Sequence, residues 1–311
     1  MSTVIITGGT GLVGKALGQA LLKKGYQVII LSRNADKSST ITGLSYAHWN
    51  VEAQTIDRQA IEKADYIIHL AGAGVADKRW TKKRKEEIVE SRVKSSQLIV
   101  DSLKTIPNKV QAVVSASAIG WYGPDELTTG KSTKFIESDP AANDFLGTTC
   151  KLWEESIEPV TQMDIRLVKL RIGIVLSKDG GALKEFIKPL KFGMAAILGS
   201  GKQIISWIHI ADLVNMFVFA IEKENMKGSY NAVAPQPVLN KELTLQLAKI
   251  SKKFYIPIHV PSFLLKIILG EMSVEILKSV TVSNDKITQA GFHFKFGSIS
   301  PALKEIIRVS S

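Results

Sequence analysis

The chain of 311 residues contains a single cysteine, Cys150. One thiol cannot close an intramolecular disulfide, which sets aside the disulfide-framed secreted folds and suits a reducing compartment. No apolar run reaches the roughly 18 residues of a membrane-spanning helix. The nearest, Phe263 to Leu269, is short and is interrupted by Lys266. The first residues carry neither the basic flank nor the apolar stretch of a signal peptide, so a cytoplasmic location with no membrane association is expected. There is no internal repeat or low-complexity tract, and no metal-ligand set is assigned. Acidic residues are the scarcer charges, 29 against 40 Lys and Arg, for a net charge of +11. A basic chain can serve nucleic acid, a membrane surface or an anionic small ligand. Here the lysines are scattered. The one dense cluster (Lys78, Arg79, Lys82, Lys83, Arg84, Lys85) runs into Glu86, Glu87 and Glu90. It reads as the solvated start of a helix, with only Trp80 nearby as a base platform, so no nucleic-acid partner is expected.

What the chain does have is a concentrated glycine turn. Val4, Ile5 and Ile6 form a short buried strand. Gly8, Gly9, Thr10, Gly11, Leu12, Val13 and Gly14 follow, and then a helix with Leu17, Ala20 and Leu21 on one face. Strand, glycine turn and helix are the context that a dinucleotide fingerprint requires. Gly8 and Gly9 allow the turn, Gly11 lets backbone approach a pyrophosphate, and Gly14 lets helix and strand sit close. The phosphates then face free N–H groups at a helix N-terminus. A second strand, Gln27 to Leu31, ends at Ser32-Arg33-Asn34. An acid at that position would hold a ribose 2′-hydroxyl, whereas arginine accommodates a 2′-phosphate. Arg33 occupies the tip and Asp36 lies further along, so NADP(H) is preferred and NAD(H) stays possible.

Further strands are expected over Leu44–Trp49, 65–70, 111–117 and 166–176, alternating with helices over 57–64, 81–105 and 145–157. The first of these ends at Asn50, whose amide is a candidate for the adenine edge. The 65–70 strand runs into Leu70, Ala71 and Gly72, small enough at its end to admit a cofactor, and Ser115 stands at the end of the next. His69, inside an apolar run, reads as packed core. Residues 123–144 form a long loop rich in Gly, Pro, Asp, Ser and Thr. The alternation gives an α/β fold with a doubly wound parallel sheet. A cofactor domain is placed at 1–176, with its sheet open to recruiting segments from 204–234, and a smaller α/β substrate domain at 177–311. In that second half Asp212 opens a helix, where a carboxylate suits the dipole. Asn240 reads as a helix cap.

These residues resemble the extended short-chain dehydrogenase/reductases, which have a Rossmann domain. The parallels are Gly8 to Gly14, Leu70-Ala71-Gly72, Ser115-Ala116-Ser117 before Tyr122-Gly123, Leu170-Arg171-Ile172-Gly173 and Trp207 to Asp212. Arg79-Trp80-Thr81, Ser91-Arg92-Val93, Trp153-Glu154, Gly180 to Leu183, Gly199 to Gln203, Ala234 to Val238 and Gly291-Phe292 narrow the likeness to an atypical branch known as the epimerase family. The resemblance implies nicotinamide-nucleotide binding and a C-terminal domain.

Ordinary members of that superfamily use Tyr-x-x-x-Lys, in which the tyrosine exchanges a proton and the lysine lowers its pKa. This chain has no such pair. Four residues after Tyr26, Tyr46, Tyr66, Tyr122, Tyr230 and Tyr255 stand Ile30, Asn50, Leu70, Glu126, Ala234 and His259. Lys151 stands near the usual lysine, but Gly147 occupies the tyrosine's place. Ser117 and Tyr122 are the catalytic candidates, with Cys150 a third. The expected function is an NADP(H)-dependent oxidoreductase or epimerase-like enzyme acting on a small molecule. The alternative is a non-catalytic NADP(H)-binding regulator.

Overall fold

The computed structural model describes residues 1–34, 39–125, 134–252 and 254–308. β1 (Thr3–Thr7) passes through the glycine turn into α1 (Leu12–Lys23), and β2 (Gln27–Ser32) follows. Next come β3 (Leu44–Asn50), β4 (Thr55–Ile56), α2 (Arg58–Lys63), β5 (Tyr66–His69) and α3 (Lys82–Thr105). Local chemistry sets the helix starts. Asp57 accepts the Ala60 N–H, Thr81 the Arg84 N–H and Asp144 the Gly147 N–H, each satisfying a donor that a free helix end would waste. β6 (Ala112–Ala118), α4 (Phe145–Ile157) and β7 (Arg166–Ile172) complete the first half.

The main sheet has the order β7-β6-β5-β1-β2-β3-β4, parallel except for the short β3–β4 pair. Strand order reverses between β1 and β5, which defines the crevice at the carboxyl ends of those two strands. Both faces are covered, so the central strands are apolar throughout. Val4 and Ile6 pack with Leu17 and Leu21 of α1 on one face, while Ile5 packs with Ile67, Leu98 and Ile99 on the other.

The expected single strand over 166–176 is two strands. Gly173 divides it, because a Cβ there would lie 2.7 Å from the Ser206 carbonyl oxygen. Beyond it β8 (Ile174–Ser177) leaves the main sheet and pairs with β9 (Gly180–Gly181). α5 (Ala182–Leu190), β10 (Met194–Leu198), β11 (Ile204–Ile205) and β12 (Trp207–His209) follow, with β12 parallel to β8. α6 (Ile210–Glu222) then returns to pack on α1, and β13 (Gly228–Ala232) adds an eighth strand to the main sheet beside β7. The main-sheet half therefore takes in residues well beyond 176.

β14 (Val238–Leu239), α7 (Asn240–Ile250), β15 (Ile256–Val260), α8 (Ser262–Leu269), α9 (Met272–Leu277), α10 (Asp285–Gln289) and α11 (Ile299–Arg308) finish the chain. Asn240 is the first helical residue of α7 rather than its cap, and its Oδ1 accepts the Leu198 N–H from β10. Asp212 fastens the C-terminal segment to the main domain by accepting the Lys295 and Phe296 N–H groups at 2.8 and 2.9 Å. His209 Nδ1 accepts the Ala211 N–H, so in the neutral ring Nε2 carries the proton and donates to Glu305 of α11. Among the described residues no helix is long and apolar enough to cross a membrane.

Candidate functional site: the crevice between β1 and β5

The glycines of the turn have separate jobs. Gly8 has φ +67°, and a Cβ on it would lie 2.9 Å from the Leu70 carbonyl oxygen. A Cβ on Gly14 would fall 2.4 Å from the Gly8 oxygen and 2.6 Å from the Gly9 Cα. Packing demands glycine at both. Gly11 is different. Its backbone is extended (φ −77°, ψ 179°), and a Cβ would meet only the Gly8 oxygen, at 3.3 Å. Packing opposes a side chain there far less than at Gly8 or Gly14, and the face Gly11 leaves bare is open. Thr10 and Gly11 are exposed. α1 has no side-chain cap and no acid in its first turn, which leaves its N–H groups and dipole for an anion. Leu12 lies against Gly180 and Gly181, tying the turn to the second half of the chain.

Across the crevice, Thr7 organises the end of β5. Its Oγ1 accepts the Leu70 and Ala71 N–H groups at 3.0 and 3.1 Å and bonds His69 Nδ1 at 2.8 Å. His69 is fully buried, and burial followed by repulsion from Arg92 lowers its pKa to about 3. It is a neutral structural ring. Gly72 is exposed at the strand end. Arg33 is exposed at the end of β2 and makes no ion pair among the described residues; Asp36 lies outside them. Asn50 Oδ1 accepts the Glu52 and Ala53 N–H groups and so caps a turn, while its Nδ2 has no partner among the described residues. The Ser115 hydroxyl is buried and donates to the Ala116 carbonyl.

The two catalytic candidates are brought together, but in the interior. Ser117 donates to Glu154 Oε1 at 2.7 Å. Arg171 grips the same carboxylate through Nε and Nη2 at 2.8 and 3.1 Å, and Ser229 and Lys169 also approach it. The Tyr122 hydroxyl accepts from Arg171 Nη1 and donates to Asn231 Oδ1 at 2.7 Å. Ser117 is 2% exposed and Tyr122 is fully buried. Burial pushes the Tyr122 phenol up to about 12. Burial works to raise the Glu154 carboxyl too, but Arg171, with Ser117 and Lys169, offsets it and holds the group below the usual carboxylate range. Tyr122 is thus a buried phenol that does not reach the crevice, and Ser117 already has an ionised partner. Sequence reasoning missed Glu154 and Arg171 as the centre of this network. Their signal was a carboxylate on the apolar side of α4 and an arginine inside the apolar strand β7.

Leu146 and Cys150, four apart on α4, face Gly120. Lys151 points the other way, 58% exposed beside Glu155. Cys150 is buried, and burial raises its thiol to about 12. The basic stretch at the start of α3 is also less solvated than expected. Arg84 is buried, and Trp80 packs edge-on to Phe145 with its indole N–H on the Val75 carbonyl.

A doubly wound sheet with a glycine turn at its switch point defines a Rossmann-type protein. Residues 4–233, which end just past β13, match the NAD dependent epimerase/dehydratase family, and residues 260–306 match a domain of unknown function (DUF1731). The chain belongs to that epimerase/dehydratase family. Epimerase family proteins of Staphylococcus epidermidis and Staphylococcus aureus are each 34% identical over 308 residues, 99% of this chain and all of theirs. The crystal structure of the human epimerase family protein SDR39U1 with NADPH superposes with a TM-score of 0.84 at 27% identity, covering 98% of this chain and 99% of that one. A nucleoside-diphosphate sugar epimerase from Corynebacterium glutamicum gives 0.76 at 29%, covering 98% of this chain and 58% of that one.

Proposed function

We propose that the protein is an NADP(H)-dependent oxidoreductase or epimerase-like enzyme acting on a small molecule. The observation that carries this reading is Gly11: an exposed glycine that packing constrains far less than Gly8 or Gly14, at the open end of an uncapped helix. Gly8 to Gly14 would hold the pyrophosphate, Leu70 to Gly72 would flank the nicotinamide half, and Arg33 would meet a 2′-phosphate. NADPH in the structure of human SDR39U1 supports the choice of cofactor. When bound, the cofactor supplies hydride exchange at the nicotinamide C4, while the protein supplies orientation and electrostatics. Substrate selection falls to the walls of the crevice around residues 74–80, 121–145 and 193–207; residues 126–133 of these lie outside the described structure.

The burial of Ser117 and Tyr122 favours a second reading, a cofactor-binding regulator without turnover. The test is NADPH consumption against a panel of aldehydes, ketones and keto acids, with binding measured in parallel. Turnover of any member at a rate that depends on Gly11 establishes the enzyme. Tight binding without turnover across the panel establishes the regulator.

A further inference from the structure

Arg84 and Arg92 stand eight residues apart on α3 and hold consecutive carbonyls of the loop after β5. Arg84 Nη2 donates to the Gly74 oxygen. Arg92 Nη1 donates to the Ala73 oxygen at 3.1 Å and to the Ile88 oxygen at 2.8 Å. The two guanidinium groups differ in how their charge is met. Arg84 pairs with Glu87 at 2.7 Å and has Asp77 at 3.8 Å. Arg92 is 9% exposed and has no carboxylate within ion-pair distance among the described residues. The Trp153 ring also supports it, 4.9 Å from Cζ.

A buried guanidinium without a counter-charge is costly, and a structural role does not explain this one. Holding the Ala73 and Ile88 carbonyls takes Nη1 alone. Nε and Nη2 have no partner among the described residues, and unlike Arg84 Nε they are not sealed from solvent. That free edge is the same fork with which Arg171 takes Glu154 bidentately. Gly72 leaves room for it, since a Cβ at that position would lie 3.2 Å from both Cγ and Cζ of Arg92. Neighbouring groups do not supply the missing charge. Burial keeps the Cys150 thiol protonated and the His69 ring neutral, and Glu154 is taken by Arg171 and Lys169.

We propose that Arg92 is the anion-recognition group of the substrate site: its Nε–Nη2 edge receives a carboxylate or phosphate carried by the substrate. This rests on the crevice being the cofactor cleft, because Arg92 lies against Gly72 and Ala73 at its β5 wall. The substrate class is then an anionic carbonyl or alcohol compound, oriented by a bidentate pair. The cofactor's own pyrophosphate is assigned to the glycine turn, on the β1 side.

The test compares wild type, Arg92→Lys and Arg92→Gln by thermal unfolding, with and without saturating NADPH, in phosphate or malonate against potassium chloride of equal ionic strength. NADPH raises the wild-type midpoint, and one of the two oxyanions raises it by about 2 °C more than chloride does. A response to phosphate alone assigns a phosphorylated substrate; a response to malonate alone assigns a carboxylate. Arg92→Gln abolishes the gain, and Arg92→Lys, which keeps the charge but loses the fork, retains less than half. No oxyanion gain in wild type, or an equal gain in Arg92→Gln, overturns the proposal. If the Gln variant does not fold, an undiminished gain in Arg92→Lys overturns it. Failure of NADPH to shift wild type defeats the cofactor reading instead, and the nucleotide-free arms then test Arg92 by themselves.

Discussion

Replacing Gly11 and Gly14 by alanine in turn separates a glycine kept for a ligand from one kept for the fold. At Gly11 the extended backbone suits alanine, and the new Cβ meets only the Gly8 oxygen at 3.3 Å. Loss of an N-cap preference and gain from a stiffer unfolded chain roughly cancel, so stability should change by less than about 1 kcal/mol. At Gly14 the Cβ would sit 2.4 Å from a backbone oxygen and 2.6 Å from a backbone Cα, and neither can swing aside. Strain of that kind costs about 1–3 kcal/mol or more. Nucleotide binding should move differently. A methyl at Gly11 stands where a pyrophosphate would approach, and a loss of about 100-fold in affinity, or about 2.7 kcal/mol, is expected. Urea unfolding reads the first quantity and NADPH fluorescence titration the second. A Gly11→Ala protein that binds NADPH like wild type would refute the reasoning, as would a Gly14→Ala protein of unchanged stability.

Three further outcomes follow from the buried groups. His69 is held near pKa 3 in the fold and returns to about 6.5 when unfolded, so the unfolded chain takes up the extra proton. Its contribution to stability is intact above pH 6.5 and is lost as the pH falls. Between pH 7 and pH 5 that amounts to about 2 kcal/mol, seen as a steeper acid loss in wild type than in His69→Gln. Glu154→Gln strands the Arg171 charge in the interior and should cost about 3–5 kcal/mol in chemical denaturation; a change under 1 kcal/mol would show the network is not closed. Cys150 should resist a thiol reagent at pH 8 in the native protein and react on unfolding, because its thiol lies near 12 and is buried.

The sequence made the local chemistry legible. The glycines between β1 and α1 announce themselves, because a φ > 0 turn is written in a few adjacent residues. Contacts made at a distance are less visible. The run Arg166 to Leu176 has an unbroken strand pattern, and only the Ser206 backbone, arriving from β12, makes Gly173 a break. Ser117 and Tyr122 look like available hydroxyls until Glu154 and Arg171 close over them. Asn240 sits where a cap belongs, yet its amide is claimed by β10. Arg92 falls within a charged helix whose sequence does not mark it as buried, and Trp153 of α4 lies across it. The glycine turn between β1 and α1 was therefore foreseeable and the polar interior was not, since burial and pairing of charges are properties of the assembled fold.

The most direct test of the account is thermal unfolding of wild type and Arg33→Ala with NADPH, NADP⁺, NADH and NAD⁺. A nucleotide at about 100 times its dissociation constant stabilises the fold by about 2.7 kcal/mol. The account predicts the largest midpoint shift with the NADP(H) pair, and loss of its advantage over NADH in Arg33→Ala. No shift with any of the four nucleotides would contradict it.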